Sequence, residues 1–220
     1  MRDMNDDRQF YDATAAELNE PARATLEALK KLSETLGDRA SEHARMVQMA
    51  ERGMHKVLRT AERLALLSRL DTGTLATDQT VDLTGTLQEA LRESVYLEGR
   101  RNITLDSHLH EGEIKVVGDA EAIRLCVGEA VIQAVRSAKK KVVVALELTG
   151  NHALLCVEDD GPAASRMPLV DPAVSGEGGA RSGAVVSLEL AVRIAAALDL
   201  TAGSRASQGF CFTLRWPVPR

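Results

Sequence analysis

The sequence predicts an α+β protein. A hairpin of two long N-terminal helices, pairing with a second copy as a four-helix bundle, precedes an α/β sandwich. Three observations predict this. Apolar residues recur at threes and fours over 9–36 and again over 42–70. A stretch rich in Thr, Asp and Gly, Asp71 to Val81, then breaks the pattern. Beyond it, short alternating strands are interleaved with helical stretches, which is the order expected of one mixed sheet with helices on one face.

The elements follow in chain order. Residues 1–8 are polar and acidic and are expected to be disordered. Leu18, Ala22, Leu26, Leu29, Leu32 and Leu36 mark the first helix, and Gly37 stops it. Val47, Ala50, Met54, Val57, Ala61 and Leu64 form a heptad seam on the second helix, 42–70. A lone hairpin of this kind leaves an apolar stripe uncovered, so a homodimer is expected. The hairpin domain spans 9–73 and a linker 74–80, and the second domain runs 81–220. In that domain a helix opens near Thr84 and runs to Glu98, and strands follow at Ile103–Leu109 and Glu113–Val117. A long helix follows the Gly118-Asp119 turn. Strands Val142–Leu148 and Ala153–Glu158 flank a Gly150-Asn151 turn. A loop, Pro162–Ser182, a helix, Val185–Leu198, and a strand, Gly209–Trp216, complete the chain.

Composition narrows the function classes. The net charge of -5 weighs against nucleic acid, whose phosphates require a basic face. No apolar run approaches the roughly eighteen residues of a membrane span, and the N-terminus carries no signal-peptide pattern. A cytoplasmic protein is therefore expected. Cys126, Cys156 and Cys211 lie far apart in apolar runs without metal-ligand spacing, and are read as reduced core residues.

The stretch Val116–Ala138 carries the chemistry. Glu129 and Gln133 stand four residues apart, on one face of the helix, and the Asp159-Asp160-Gly161-Pro162 turn follows the next strand pair. A helix with E-x-x-x-N/Q followed by a strand ending in D-x-G resembles the nucleotide site of the GHKL ATPase fold, in particular that of sensor histidine kinases. Other strings agree. Ala16-Glu17-Leu18-Asn19-Glu20-Pro21 stands where that family has H-E-L-R-T-P. Leu67 to Gly73 is similar to its S-R-L-E-x-G, and V-D-L from Val81 and V-x-G-D from Val116 match as well.

The resemblance implies a helical-hairpin domain followed by a GHKL-type ATP-binding domain, and it also marks departures. The acceptor position is Ala16, whose methyl group accepts no phosphoryl group. None of the five histidines lies on the first helix; His43 and His55 lie on the second, where His43 falls on the heptad series and is read as a bundle-end residue, the alternative being a displaced phosphoacceptor at His43 or His55. Gln133 stands where the family holds Mg²⁺ with Asn, and its extra methylene displaces the oxygen. Glu129 occupies the position of a water-activating Glu in several GHKL ATPases, or simply edges the helix. Asp159 corresponds to the adenine-binding carboxylate and Gly161 to a glycine beside the ring, although D-D-G-P is also ordinary turn chemistry. In the phosphate loop, G-x-G-L-G-L in the family, only Gly183 of Gly183-Ala184-Val185-Val186-Ser187-Leu188 remains. Gly176-Glu177-Gly178-Gly179 with Arg181 is read as a flexible loop without ligand, the alternative being a remnant lid.

The expected function is a degenerate histidine-kinase-like protein of a two-component pathway. It dimerises and uses Ala16, Glu17, Asn19, Glu20 and Pro21 to dock a response-regulator receiver or another histidine kinase, with no cofactor. Glu129, Gln133, Asp159, Gly161 and Gly183 are then a vestigial nucleotide site. The alternative is a kinase or phosphotransferase that still binds ATP and Mg²⁺ and acts on a separate acceptor.

Overall fold

A computed structural model describes residues 4–36, 42–98, 102–162, 183–206 and 209–219. The chain divides into two compact units, Met1–Thr74 and Leu75–Arg220.

The first unit is the helical hairpin of α1 (Met4–Leu36) and α2 (Glu42–Thr72). Helix α1 starts at Met4, inside the stretch 1–8 that was expected to be disordered. The polar turns ahead of the apolar stripe extend the helix rather than fray from it. The expected Gly37 stop and the connection at 38–41 lie outside the described residues. Helix α1 continues through Pro21. Between the helices the buried residues are Ala22 and Leu26 from α1, and Ala44, Val47, Ala61 and Leu66 from α2. Small residues dominate, which lets the two backbones approach closely. Leu32, Met46, Met49 and Val57 remain exposed in the single chain, so only part of the predicted seam is used within the hairpin. At the end of α2, Gly73 has φ 63°. Its N–H donates to Leu70 O at 3.3 Å, and the Thr74 N–H donates to Arg69 O at 3.0 Å. That is a Schellman stop, and it needs a residue that tolerates positive φ.

The second unit is an α/β sandwich. Its elements are β1 (Thr80–Asp82), α3 (Leu83–Glu98), β2 (Thr104–Leu109), β3 (Lys115–Val117), α4 (Ala120–Ser137), β4 (Lys141–Thr149), β5 (His152–Asp159), α5 (Gly183–Ala197), β6 (Thr201–Ala206) and β7 (Phe210–Pro217). Strands β1 and β3 form a small antiparallel pair, and the main sheet has the order β2-β4-β5-β7-β6. Only β2 and β4 run parallel; the other neighbours are antiparallel. The strands alternate as half-covered strands must. Val142, Val144 and Leu146 of β4, Ala153, Leu155 and Val157 of β5, and Phe210, Phe212, Leu214 and Trp216 of β7 are buried. Helix α4 lies over this face and also touches α3 and α5. It is buried almost without interruption from Ala122 to Val135, which explains why its sequence is apolar nearly all round.

Two strands differ from the sequence expectation. The V-D-L string forms β1 before α3 begins, because Leu83 N donates to Ile114 O at 2.8 Å and ties this segment beside β3. Strand β6, TAGSRA, was not expected. It is a weak edge strand without apolar alternation, set by the turn before it and not by its own residues. There Asp199 takes φ 55°, and Leu200 N donates to Ala195 O at 2.8 Å, a Schellman reversal that lays the chain along β7. The hairpin between β4 and β5 turns on Gly150 and Asn151 as expected, with Gly150 at φ 60° in the first position, as a type II′ turn requires.

Candidate functional site

The site is built on α4. Its start is fixed by Gly118-Asp119. Asp119 caps the helix, its Oδ1 accepting from Ala122 N at 2.9 Å. Oδ2 accepts from Ala76 N, also at 2.9 Å, and so fastens the preceding segment to the helix end. The G-D string thus has a full structural role in this chain.

Midway along α4 stands Glu129, at 0% exposure, and about one turn further Gln133, at 2%. They share a face, as the spacing predicts, but they are buried and do not edge the solvent. Gln133 Nε2 donates to Ser137 Oγ at 2.8 Å. Gln133 Oε1 is buried and has no hydrogen-bond partner among the described residues. A buried carbonyl oxygen left without a donor is costly, so this atom is the most distinctive feature of the site.

Ser137, which belongs to no sequence motif, joins the helix to the turn. A Cβ on Gly161 would run into the Ser137 carbonyl oxygen and would come within 2.8 Å of Asp159 Oδ1. The glycine is therefore required by the close approach of the α4 C-terminus, before any ligand is considered. Asp159, 2% exposed at the end of β5, accepts from Gly161 N at 2.8 Å through Oδ1. Its neighbour Asp160 closes the corner. Asp160 Oδ1 accepts from Lys139 N at 2.7 Å and from Lys140 N at 3.0 Å. These backbone donors, that of Lys140 first, hold the Asp160 carboxyl below its ordinary range. Behind the turn Gly209 passes so close to the Asp159 carbonyl that no side chain fits there. Ser137 and Gly209 are site-shaping residues that no sequence motif marked, and Asp160, marked only as part of the D-D-G-P turn, joins them; the pairing of β5 with β7 brings Gly209 to Asp159.

The structure thus brings Gln133, Asp159 and Gly161 together through Ser137, with Glu129 one helical turn away. Gly183 is the first residue of α5. Ala163 and the loop through Arg181 lie outside the described residues. In the other unit, Ala16, Glu17, Asn19, Glu20 and Pro21 all lie on α1; Asn19 is half-buried, and Glu20 and Pro21 are exposed. His43 is exposed and His55 half-buried on α2. No cluster of metal-ligating side chains occurs among the described residues, and none of the described helices is long and apolar enough to cross a membrane. A cleft of about 280 Å³ opens at the same turn, lined by Lys141, Val143, Glu158, Asp159, Asp160 and Gly209. Lys141, Val143 and Glu158 alternate away from the helix-covered residues of β4 and β5, so this cleft belongs to the uncovered face and neither Glu129 nor Gln133 lines it.

One reading of the cysteines changes. They are far apart in sequence, but β5 and β7 bring Cys156 and Cys211 together, with Sγ atoms 3.0 Å apart. Only Cys126 is an isolated core thiol. It donates to Ala191 O at 3.4 Å, and burial pushes its pKa up.

No protein-family model matches the sequence, and no curated protein matches it. Solved structures do resemble it. ShkA, a full-length structure in complex with AMPPNP, superposes with a TM-score of 0.58 at 17% identity, covering 96% of this chain and 46% of its own. This chain therefore spans less than half of ShkA. The Acinetobacter baumannii histidine kinase AdeS gives 0.56 at 15% identity, over 90% of this chain and 96% of its own. The mycobacterial sensor histidine kinase MprB gives 0.52 at 18%, over 64% and 97%. The fold is that of a histidine kinase core, a helical hairpin followed by a GHKL-like domain.

Proposed function

We propose that this chain is a two-component-type signalling protein that dimerises through its helical hairpin and docks a receiver domain or a partner kinase without phosphorylating itself. One observation carries the reading. Alanine stands at position 16, where the resemblance places the acceptor histidine, and helix α1 contains no histidine at all. The exposed Leu32, Met46, Met49 and Val57 support a second copy against the hairpin. The segment Ala16–Pro21, with Glu20 and Pro21 exposed, supports docking beside it.

The fold class implies ATP with Mg²⁺, and the residues fit its two ends differently. Asp159 is a buried carboxylate suited to a purine amino group. The phosphate end fits poorly. Gln133 carries one methylene more than the residue a tight octahedral Mg²⁺ site uses, and Val185 and Ser187 replace two glycines of the phosphate loop. No step is derived through the nucleotide.

A second reading, a nucleotide-binding kinase or phosphotransferase acting on a separate acceptor, is favoured by Gln133 Oε1, a buried acceptor without a partner among the described residues. Calorimetric titration of the purified chain with Mg-ATP and with a non-hydrolysable analogue separates the two. The docking reading expects no heat up to millimolar nucleotide from a folded dimer. Micromolar binding would overturn it in favour of the second.

A further inference from the structure

On the uncovered face of the main sheet, β5 and β7 run antiparallel with Cys156 opposite Thr213 and Glu158 opposite Cys211. Cys156 and Cys211 are therefore diagonal neighbours on one face, within reach of each other. Both thiols are free, and their sulfurs stand 3.0 Å apart, about 1 Å from the separation of a disulfide, about 2.05 Å. Arg205 lies directly opposite Cys211 on β6. Cys156 is half-buried and Cys211 is buried.

We propose that Cys156 and Cys211 form a peroxide-oxidisable dithiol, which closes to a disulfide between β5 and β7 and is reopened by thiol reductants. This inference is independent of the nucleotide site and of the docking reading. The chemistry favours Cys211 as the nucleophilic sulfur. The hydrogen bond from Cys156, and then the Arg205 charge, bring its pKa down to about 7, while the same hydrogen bond raises that of Cys156. The Cys211 thiolate attacks a peroxide oxygen, the O–O bond breaks, and hydroxide or alkoxide leaves, giving a sulfenic acid. The Cys156 sulfur then attacks the sulfenic sulfur. The S–S bond forms, the S–OH bond breaks, and the hydroxyl leaves as water with the Cys156 proton. The two thiols together lose two electrons and two protons; the peroxide is reduced to water, or to an alcohol plus water. Cys126 has no thiol neighbour on its helix and its pKa is pushed up by burial, so it serves as the internal control.

The test uses the full chain, treated with hydrogen peroxide, quenched with an alkylating reagent under denaturing conditions, and analysed by intact mass and peptide mapping. The expected product has lost two hydrogen atoms, carries a Cys156–Cys211 cross-linked peptide pair, keeps Cys126 alkylated, and returns to three alkylated cysteines after dithiothreitol. Cys156→Ser abolishes the two-hydrogen loss while circular dichroism stays that of the parent. Three results would each overturn the proposal: no oxidation of the folded chain, oxidation of the two cysteines to separate sulfinic acids, or cross-links only between chains.

Discussion

Asp119 shows at the scale of one residue how a motif can be kept for structural reasons. Its carboxylate caps α4 through Ala122 N and fastens Ala76 at the same time. Asp119→Ala removes both bonds and should lower the stability of the second unit by about 1–2 kcal/mol, read as a shift of the urea midpoint at unchanged slope. Asp160 makes a different prediction. Its pKa is depressed because the folded state donates Lys140 N and then Lys139 N to its carboxylate. A depressed carboxylate contributes stability that is present above its unfolded pKa and is lost as pH falls through the folded one. Asp160→Asn should therefore weaken the protein at neutral pH by on the order of 1 kcal/mol, given partial solvent screening. The deficit against the parent should shrink below about pH 4, as thermal midpoints measured across pH would register. Gly161 was legible in the sequence as a special position, but its reason was not. The atom that excludes a side chain there is the Ser137 carbonyl oxygen, which comes from a helix end twenty-four residues earlier, and no local pattern encodes that approach.

At the scale of elements, the hairpin helices carry more apolar surface than one another can cover. Ala22, Leu26, Ala44, Val47, Ala61 and Leu66 are buried within the pair, while Leu32, Met46, Met49 and Val57 are not. The heptad pattern was readable because it continues from Val47 to Leu64, about five turns of helix. Its division into an inner and an outer stripe was not, since both stripes satisfy the same spacing. Val57 is 39% exposed in the single chain, so Val57→Glu should leave the hairpin helical and still break the dimer. A charge enclosed in a bundle seam costs on the order of several kcal/mol. Light scattering that still gives a dimer for this variant would place the second copy on another surface. In the sheet, β4, β5 and β7 were legible from alternation over eight or nine residues. Strand β6 was not, because Thr201–Ala206 contributes no apolar alternation and owes its place to the reversal at Asp199 and to pairing with β7. The same pairing sets the Cys156–Cys211 contact, which sequence distance concealed.

For the whole molecule, the fold is that of a histidine kinase core, and we propose that it no longer phosphorylates itself. The frame is held by residues outside any catalytic role. Gly73 ends α2, Asp119 starts α4, and Asp160 with Gly209 shapes the end of β5. The altered positions are spread over both units, with Ala16 on α1, Gln133 on α4 and Gly183-Ala184-Val185-Val186-Ser187 opening α5. If the proposed loss of self-phosphorylation rested on one position alone, restoring it would suffice. Ala16→His supplies an imidazole acceptor but leaves Gln133 in place of the family's asparagine and Val185 and Ser187 in place of two glycines of the phosphate loop. Ala16→His should therefore incorporate no label from γ-labelled ATP, and Ala16→His with Gln133→Asn should also stay silent. Incorporation should begin only when Val185→Gly and Ser187→Gly are added, with acid-labile, base-stable phosphate at position 16. Labelling of the single Ala16→His variant would mean that the nucleotide site had stayed functional throughout and that the acceptor alone had been lost, and the chain would then have to be read as a kinase for a histidine on another protein.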